Sequence, residues 1–279
     1  RGYRPAILSR GYGSKPGMPN DEALELARLL PETEHVQNPK RVEGASRLVD
    51  RGADVIVMDD GFQHRRLARD LDLVLVDATR PLGLPAPDKG GDAVEAFLPR
   101  GLMREDLGAL GRADLLLITR ADQVSPEELE KLEIRLAGAA GGVPVVLSCH
   151  RPEKLWTPEG TRSVETLAGL EVDLVSAIGN PAGFERTLTD LGAIVCEHRT
   201  FPDHHGYCSA DLEGLGQRPL VTTMKDAVKL ESVGGPKHWV LEVGLDIYRG
   251  VEWLDELLST LPEPKAASQR AGLRGGLVG

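Results

Sequence analysis

Apolar residues fall along this chain in short continuous runs, separated by stretches with helical spacing. Pro5-Ala6-Ile7-Leu8 reads as a strand leading into the glycine-rich turn Ser9-Arg10-Gly11-Tyr12-Gly13. Residues 21–30 carry helical spacing, with Leu24, Ala27 and Leu30 on one stripe and Asn20 or Asp21 as the N-cap. A second helix is predicted over residues 41–50, with Val42, Ala45 and Val49 facing inward. Apolar runs then occur at residues 54–58, 71–76, 115–118 and 143–147. Runs rich in Leu and β-branched residues, separated by helical stretches, predict a parallel sheet covered on both faces.

From about Trp156 the rhythm restarts. Residues 172–178 read as a strand, Gly179-Asn180-Pro181 as a turn and residues 182–191 as a helix, with further strands at 193–196, 219–222 and 238–243. The expected organisation is a larger α/β core over residues 1–155, a smaller C-terminal α/β domain over 156–264 and a loose Ala-, Gly- and Arg-rich tail over 265–279. The chain opens almost directly on an apolar strand, so it is expected to begin inside a folded element, as a fragment would.

Composition narrows the function classes. Asp plus Glu number 43 against 33 Lys plus Arg, giving a net charge of -10 over 279 residues. That balance lacks the basic footprint of a nucleic-acid-binding protein, and no nucleic-acid partner is expected. Three cysteines with no CxxC pair are the pattern of reduced cytosolic thiols. No apolar run approaches the ~18 residues of a membrane span.

Five segments carry candidate chemistry. Val55-Ile56-Val57-Met58-Asp59-Asp60-Gly61-Phe62-Gln63-His64 sets two carboxylates at the end of a strand. That sheet edge is where α/β proteins bind ligands and where an acid can hold Mg²⁺; an ordinary Asp-Gly turn would look the same. In Phe201-Pro202-Asp203-His204-His205-Gly206-Tyr207, adjacent imidazoles beside a carboxylate suit an acid–base pair or a metal site, or a solvated loop. Asp21-Glu22 are acids favourable at a helix N-terminus. Arg104, in the segment 98–105, suits a lid that clamps phosphate oxygens, or is solvated. Thr222-Thr223-Met224-Lys225-Asp226-Ala227-Val228-Lys229 runs from a strand end into a helix. The phosphate-cradling pattern G-x-x-x-x-G-K-[ST] does not occur.

In this order, these segments resemble the tetraacyldisaccharide 4'-kinase family of lipid A biosynthesis. The carriers are residues 9–13, Asp21-Glu22, residues 59–64, 98–105, Ile178-Gly179-Asn180-Pro181, residues 201–205 and 222–228. The resemblance runs to about Leu261. It implies a P-loop-kinase-like parallel sheet with helices on both faces, its first strand and P-loop missing here, plus the smaller C-terminal α/β domain. It also implies an ATP- and Mg²⁺-dependent kinase that moves the γ-phosphate of ATP to the 4'-hydroxyl of an acylated glucosamine disaccharide 1-phosphate, giving lipid IVA. By the resemblance, Asp21 is the general base and His204 or His205 its partner. Asp59 and Asp60 are the Mg²⁺-associated acids, Arg104 is a lid arginine acting in catalysis and on the nucleotide, and Gln63 joins the nucleotide-side set. Peripheral contact with the cytoplasmic face of the inner membrane is implied as well.

Two stretches depart from the family pattern: Asp88-Lys89-Gly90-Gly91-Asp92 is a looser form of a Gly-Asn-Gly loop, and Met224 stands where an acid is usual. As a fragment the chain is expected to have impaired activity. The alternative is a degenerate, non-catalytic remnant that binds lipid or a partner. A metal-bridging hydrolase built on Asp203-His204-His205 and a GTPase-like reading of Thr119-Arg120-Ala121-Asp122 are weaker competitors.

Overall fold

A computed structural model describes residues 2–11, 20–82, 97, 103–203, 205–231 and 233–264. In chain order its elements begin β1 (Pro5–Ser9), α1 (Asp21–Leu29), β2 (Glu34–Gln37), α2 (Arg41–Asp50), β3 (Val55–Met58), β4 (Leu73–Asp77) and β5 (Leu115–Thr119). They continue with α3 (Pro126–Ala140), β6 (Val145–Thr157), β7 (Gly160–Arg162), β8 (Glu171–Ser176), α4 (Pro181–Asp190) and β9 (Ile194–Thr200). Then come β10 (Leu220–Thr223), α5 (Met224–Leu230), β11 (His238–Arg249) and α6 (Val251–Ser259).

Local chemistry accounts for the helix limits. Ser125 accepts from the Glu128 amide while Glu128 reaches back to it, Pro126 opens the helix, and Gly141 closes α3 at φ +69°. In the Gly-Asn-Pro segment, Asn180 caps α4 by accepting from Gly183 N at 3.0 Å, and Pro181 takes the first helical position.

Two compact units emerge, and they cut across the linear division at residue 155. One joins Arg1–Gly61 to Pro152–Gly244 and Pro264–Gly279; the other joins Phe62–Arg151 to Leu245–Glu263. Parallel strands need crossovers, so spatial neighbours come from distant segments and a boundary read along the chain does not see them.

In the first unit, β1 lies between β2 and β3 with both pairings parallel. A second parallel set runs β11–β10–β8–β9. Its core includes Leu155, Leu167, Leu174, Leu188, Val221 and Leu241. In the second unit, β4, β5 and β6 pair in parallel. There Leu116, Ile118, Leu136 and Leu147 are buried among the helices of that unit. The β6–β7 ladder is antiparallel, while β1–β2, β1–β3, β4–β5, β5–β6, β8–β9, β8–β10 and β10–β11 are parallel. The α/β class predicted from the apolar runs is therefore the observed one.

Several inward faces differ from expectation. Leu24 and Leu30 are exposed, and α1 buries Ala23. In α2, Val42 and Val49 are exposed, while Arg41, Gly44, Ala45 and Leu48 are buried. Gly44 is needed there, since a Cβ would stand 2.6 Å from Leu8 Cδ1. Val57 on β3 and Leu75 on β4 are exposed, because each strand ends a sheet among the described strands. Both β6 and β11 run well past their apolar halves.

The fold carries an acid sensitivity. Burial holds the imidazoles of His35, His150 and His238 below their ordinary value of 6.5. Each binds a proton more readily in the unfolded chain, so unfolding takes up protons below about pH 6.5. Stability is fully present above that value and is lost as the pH falls toward the folded values. Glu25, raised by burial, acts in the opposite sense nearer the carboxylate range. Thermal unfolding followed by circular dichroism is expected to give a lower Tm at about pH 5.5 than at about pH 7.5. A Tm that rises on that acidification contradicts it.

Candidate active site

Because β1, β2 and β3 are parallel, their C-terminal ends share one edge, where α/β proteins collect ligands. Asp59 extends the ladder past β3, its amide donating to Leu8 O at 3.0 Å. Asp60 takes a left-handed φ of 50°, and a Cβ on Gly61 would meet Met58 Cε at 2.7 Å. The Asp-Asp-Gly segment is thus a tight turn, and it leaves both carboxylates exposed. Behind it, Arg41 is buried to 3% exposure and donates to Asn38 O (3.0 Å) and Asp59 O (3.4 Å). The carbonyls give a buried guanidinium its partners.

The start of α1 is fixed to the same edge. Asn20 Oδ1 accepts from Ala23 N at 3.0 Å as the helix cap and from Gln37 Nε2 at 2.5 Å. Gln37 Nε2 also reaches Ser9 Oγ at 3.3 Å, and Ser9 Oγ lies 2.8 Å from His35 Nε2. Asp59 and Glu22 both act electrostatically on the His35 ring, favouring its charged form against the larger effect of burial. Asp21, in the first turn of α1, is held at that edge through its neighbour's side chain. Its carboxylate Oδ2 stands 3.2 Å from Lys229 Nζ on α5.

At the strand-to-helix corner of β10 and α5, Thr223 caps the helix by accepting from Asp226 N at 3.2 Å. Asp226, fully buried, accepts in return from Thr223 Oγ1 at 2.9 Å and from Ala177 N at 3.0 Å, just past β8. Its other oxygen lies 3.6 Å from Lys229. One turn earlier on α5, Lys225 pairs with Asp203 at 2.8 Å. His205 Nε2 sits 3.0 Å from Asp211 Oδ2, and its ring stacks on Phe201 at 4.5 Å with Tyr207 edge-on. The His205 hydrogen bond, then the Cys208 amide, hold Asp211 below the usual carboxylate range. Tyr207 is pushed well above the ordinary phenol value by burial and by Asp226, so its hydroxyl is neutral. His204 lies outside the described residues, as do Tyr12, Gly13 and the 85–96 stretch.

Gln63 and Arg104 belong to the second unit. Gln63 is exposed in a turn. Arg104 lines an open cavity of about 560 Å³ together with Arg65, Phe97, Glu105 and Arg112. Glu105 bridges Arg112 at 2.6 Å and Arg65 at 3.2 Å, and the Arg112 hydrogen bond leads in holding it below the usual carboxylate range. The cavity is lined by three guanidinium groups and by the carboxylates of Glu105 and Asp106, with Arg65 and Arg112 both paired to Glu105.

Asp59 and Asp60 offer the hard oxygen donors that Mg²⁺ takes, and their exposure leaves room for the waters and phosphate oxygens that complete an octahedron. Among the described residues, no group of three or more His, Cys, Asp or Glu is placed to hold a metal ion by protein ligands alone. No helix among them is long and apolar enough to cross a membrane.

In sequence Lys229 is only the end of the strand-to-helix segment 222–229, and neither Arg41 nor Gln37 carries a local signal. The available signal was the i,i+4 spacing of Asp21 and Glu25 on one helix and Lys225 and Lys229 on another.

A parallel α/β sheet that presents paired carboxylates at its C-terminal edge has the layout of a ligand-binding α/β protein with donors suited to Mg²⁺. The family model described as LpxK, tetraacyldisaccharide-1-P 4'-kinase, matches residues 1–261, and the chain belongs to that family. A tetraacyldisaccharide 4'-kinase of Anaeromyxobacter sp. (strain K) is 40% identical over 301 residues, covering 96% of this chain and 77% of that protein. One from Syntrophus aciditrophicus (strain SB) is 35% identical, over 82% of this chain and 67% of that one. Among solved structures, LpxK from Aquifex aeolicus in complex with ATP aligns at a TM-score of 0.65 and 27% identity, covering 93% of this chain and 79% of that chain.

Proposed function

We propose that this protein transfers the γ-phosphate of ATP to the 4'-hydroxyl of a tetraacylated glucosamine disaccharide 1-phosphate in lipid A biosynthesis. The observation that carries the reading is the shared edge of β1, β2 and β3, which collects Asp21 and the Asp59–Asp60 pair within a chain of this family. Asp21 takes the acceptor's proton as the hydroxyl oxygen attacks the γ-phosphorus. The P–O bond to the bridging oxygen breaks, and ADP leaves with that electron pair. Asp59 and Asp60 are the residues that would hold Mg²⁺, which neutralises charge on the phosphates when bound. Arg104, on the cavity it lines, is suited to phosphate oxygens, with Gln63 on the nucleotide side.

His204 or His205 completes the assignment as the imidazole that supports the base. His205 has a ring stack on Phe201 and a carboxylate partner in Asp211 that orient an imidazole. The lipid acceptor places the working enzyme in peripheral contact with the cytoplasmic face of the inner membrane.

The test uses the full-length gene product, radiolabelled ATP and the tetraacylated disaccharide 1-phosphate in mixed micelles. A phosphorylated lipid that forms with Mg²⁺ and vanishes on chelation with EDTA is expected. Lipid binding with neither a phosphorylated product nor magnesium-dependent ATP binding favours the degenerate, non-catalytic remnant instead.

A further inference from the structure

The α1–α5 seam places two acids opposite two lysines, each pair one helical turn apart: Asp21 and Glu25 on α1, Lys225 and Lys229 on α5. Lys229 is the deeper cation. Its side chain is 9% exposed and its ammonium lies 3.2 Å from Asp21 and 3.6 Å from Asp226, with the Tyr207 ring centroid 5.9 Å away. Asp226 is in turn fixed by Ala177 N and by the Thr223 cap. A chain of contacts thus runs from the strand ends of β8 and β10 through a buried cation to one carboxylate oxygen of Asp21. Lys225 does the same for the neighbouring segment through Asp203.

We infer that Lys229 is the positioning residue for the base, fixing the Asp21 carboxylate for proton acceptance from the acceptor hydroxyl. This inference rests on the assignment of Asp21 as general base. A carboxylate in the first turn of a helix has two free side-chain torsions. Proton acceptance in phosphoryl transfer requires it within hydrogen-bond reach of one particular oxygen. A compact ammonium set between two carboxylates restricts those torsions. With Lys225 set one turn away on Asp203, α5 acts as a bracket for both elements to which catalytic roles are assigned.

The plain alternative is a buried ion triad that only joins the two helices. A double-mutant cycle in the full-length gene product separates the two. Lys229→Met is expected to lower kcat by about 10- to 100-fold with KM for ATP little changed, and Lys229→Arg to restore most of the loss. In an Asp21→Asn background the same Lys229→Met change is expected to alter kcat by no more than about twofold, because the lysine acts only through the carboxylate. An equal loss in both backgrounds overturns the inference and leaves Lys229 a structural residue. If Asp21→Asn alone leaves kcat unchanged, the base assignment fails, whatever Lys229 does. Should Lys229→Met not fold, Asp226→Asn/Lys229→Met removes the buried charge together with its counter-charge and still leaves Asp21 without its cation. That variant is expected to fold with the same loss of kcat, and wild-type kcat in it overturns the inference.

Discussion

Asp21→Asn is expected to reduce kcat for lipid phosphorylation by about 10²- to 10⁴-fold, the range over which a positioned general base contributes. The substitution is close to isosteric and keeps an oxygen facing Lys229, so the packing of α1 on α5 is retained. Asn20 continues to cap the helix through Ala23 and Gln37, neither of which touches the altered atoms. Thermal stability should therefore stay near wild type, and KM for ATP should move little. Steady-state kinetics at saturating ATP and lipid, with a melting curve on the same preparation, read all three quantities. Full kcat in Asp21→Asn would exclude the carboxylate as proton acceptor. Loss of kcat accompanied by a collapse of Tm would point to a structural role for Asp21.

What the chain made legible follows the reach of the interactions involved. β1, β5 and the front half of β6 are continuous apolar runs, so their burial is written locally. The limits of α3 and α4 are written in Ser125, Glu128, Pro126, Asn180 and Pro181, all within four residues of the bonds they make. The faces of α1 and α2 were harder. Each is short, with apolar residues on more than one side, and in α2 the buried positions include Arg41 and Gly44. No hydrophobicity pattern predicts a buried guanidinium, since its partners are carbonyls of Asn38 and Asp59. The polar second half of β6 was missed because Arg151 and Lys154 look like loop residues until Asp246 and Glu242 stand beside them.

The site divides in the same way. Asp59 and Asp60 were visible because they end a strand, and a strand end is a local feature. Asp21 could be read only as a helix-terminal acid, since its significance lies in β2 and α5. His205 finds its carboxylate six residues downstream at Asp211 through a short helical turn that carries no apolar signature. Lys229 lies 208 positions from Asp21 along the chain (229 − 21), and such a contact has no expression in local sequence.

Asp226 is where the fold and the site depend on one side chain, and Asp226→Ala is expected to cost about 3–5 kcal/mol. The carboxylate is fully buried and accepts from the Ala177 amide at 3.0 Å and the Thr223 hydroxyl at 2.9 Å. Truncation leaves that amide without its acceptor beside the buried end of β8, removes the reciprocal half of the α5 cap and withdraws an anion from a lysine that is only 9% exposed. Removing one partner of a buried charged pair is costly because the other charge remains; removing both is far cheaper. Asp226→Asn/Lys229→Met, which retains an oxygen for Ala177 N and carries no buried cation, should accordingly regain most of the stability. Urea unfolding of wild type and these variants measures the losses, and the interaction energy across the pair should be favourable to the doubly neutral state. Asp226→Ala within about 1 kcal/mol of wild type would show that the buried carboxylate is not what holds α5 to β8, and the bracket assigned to α5 would lose its anchor.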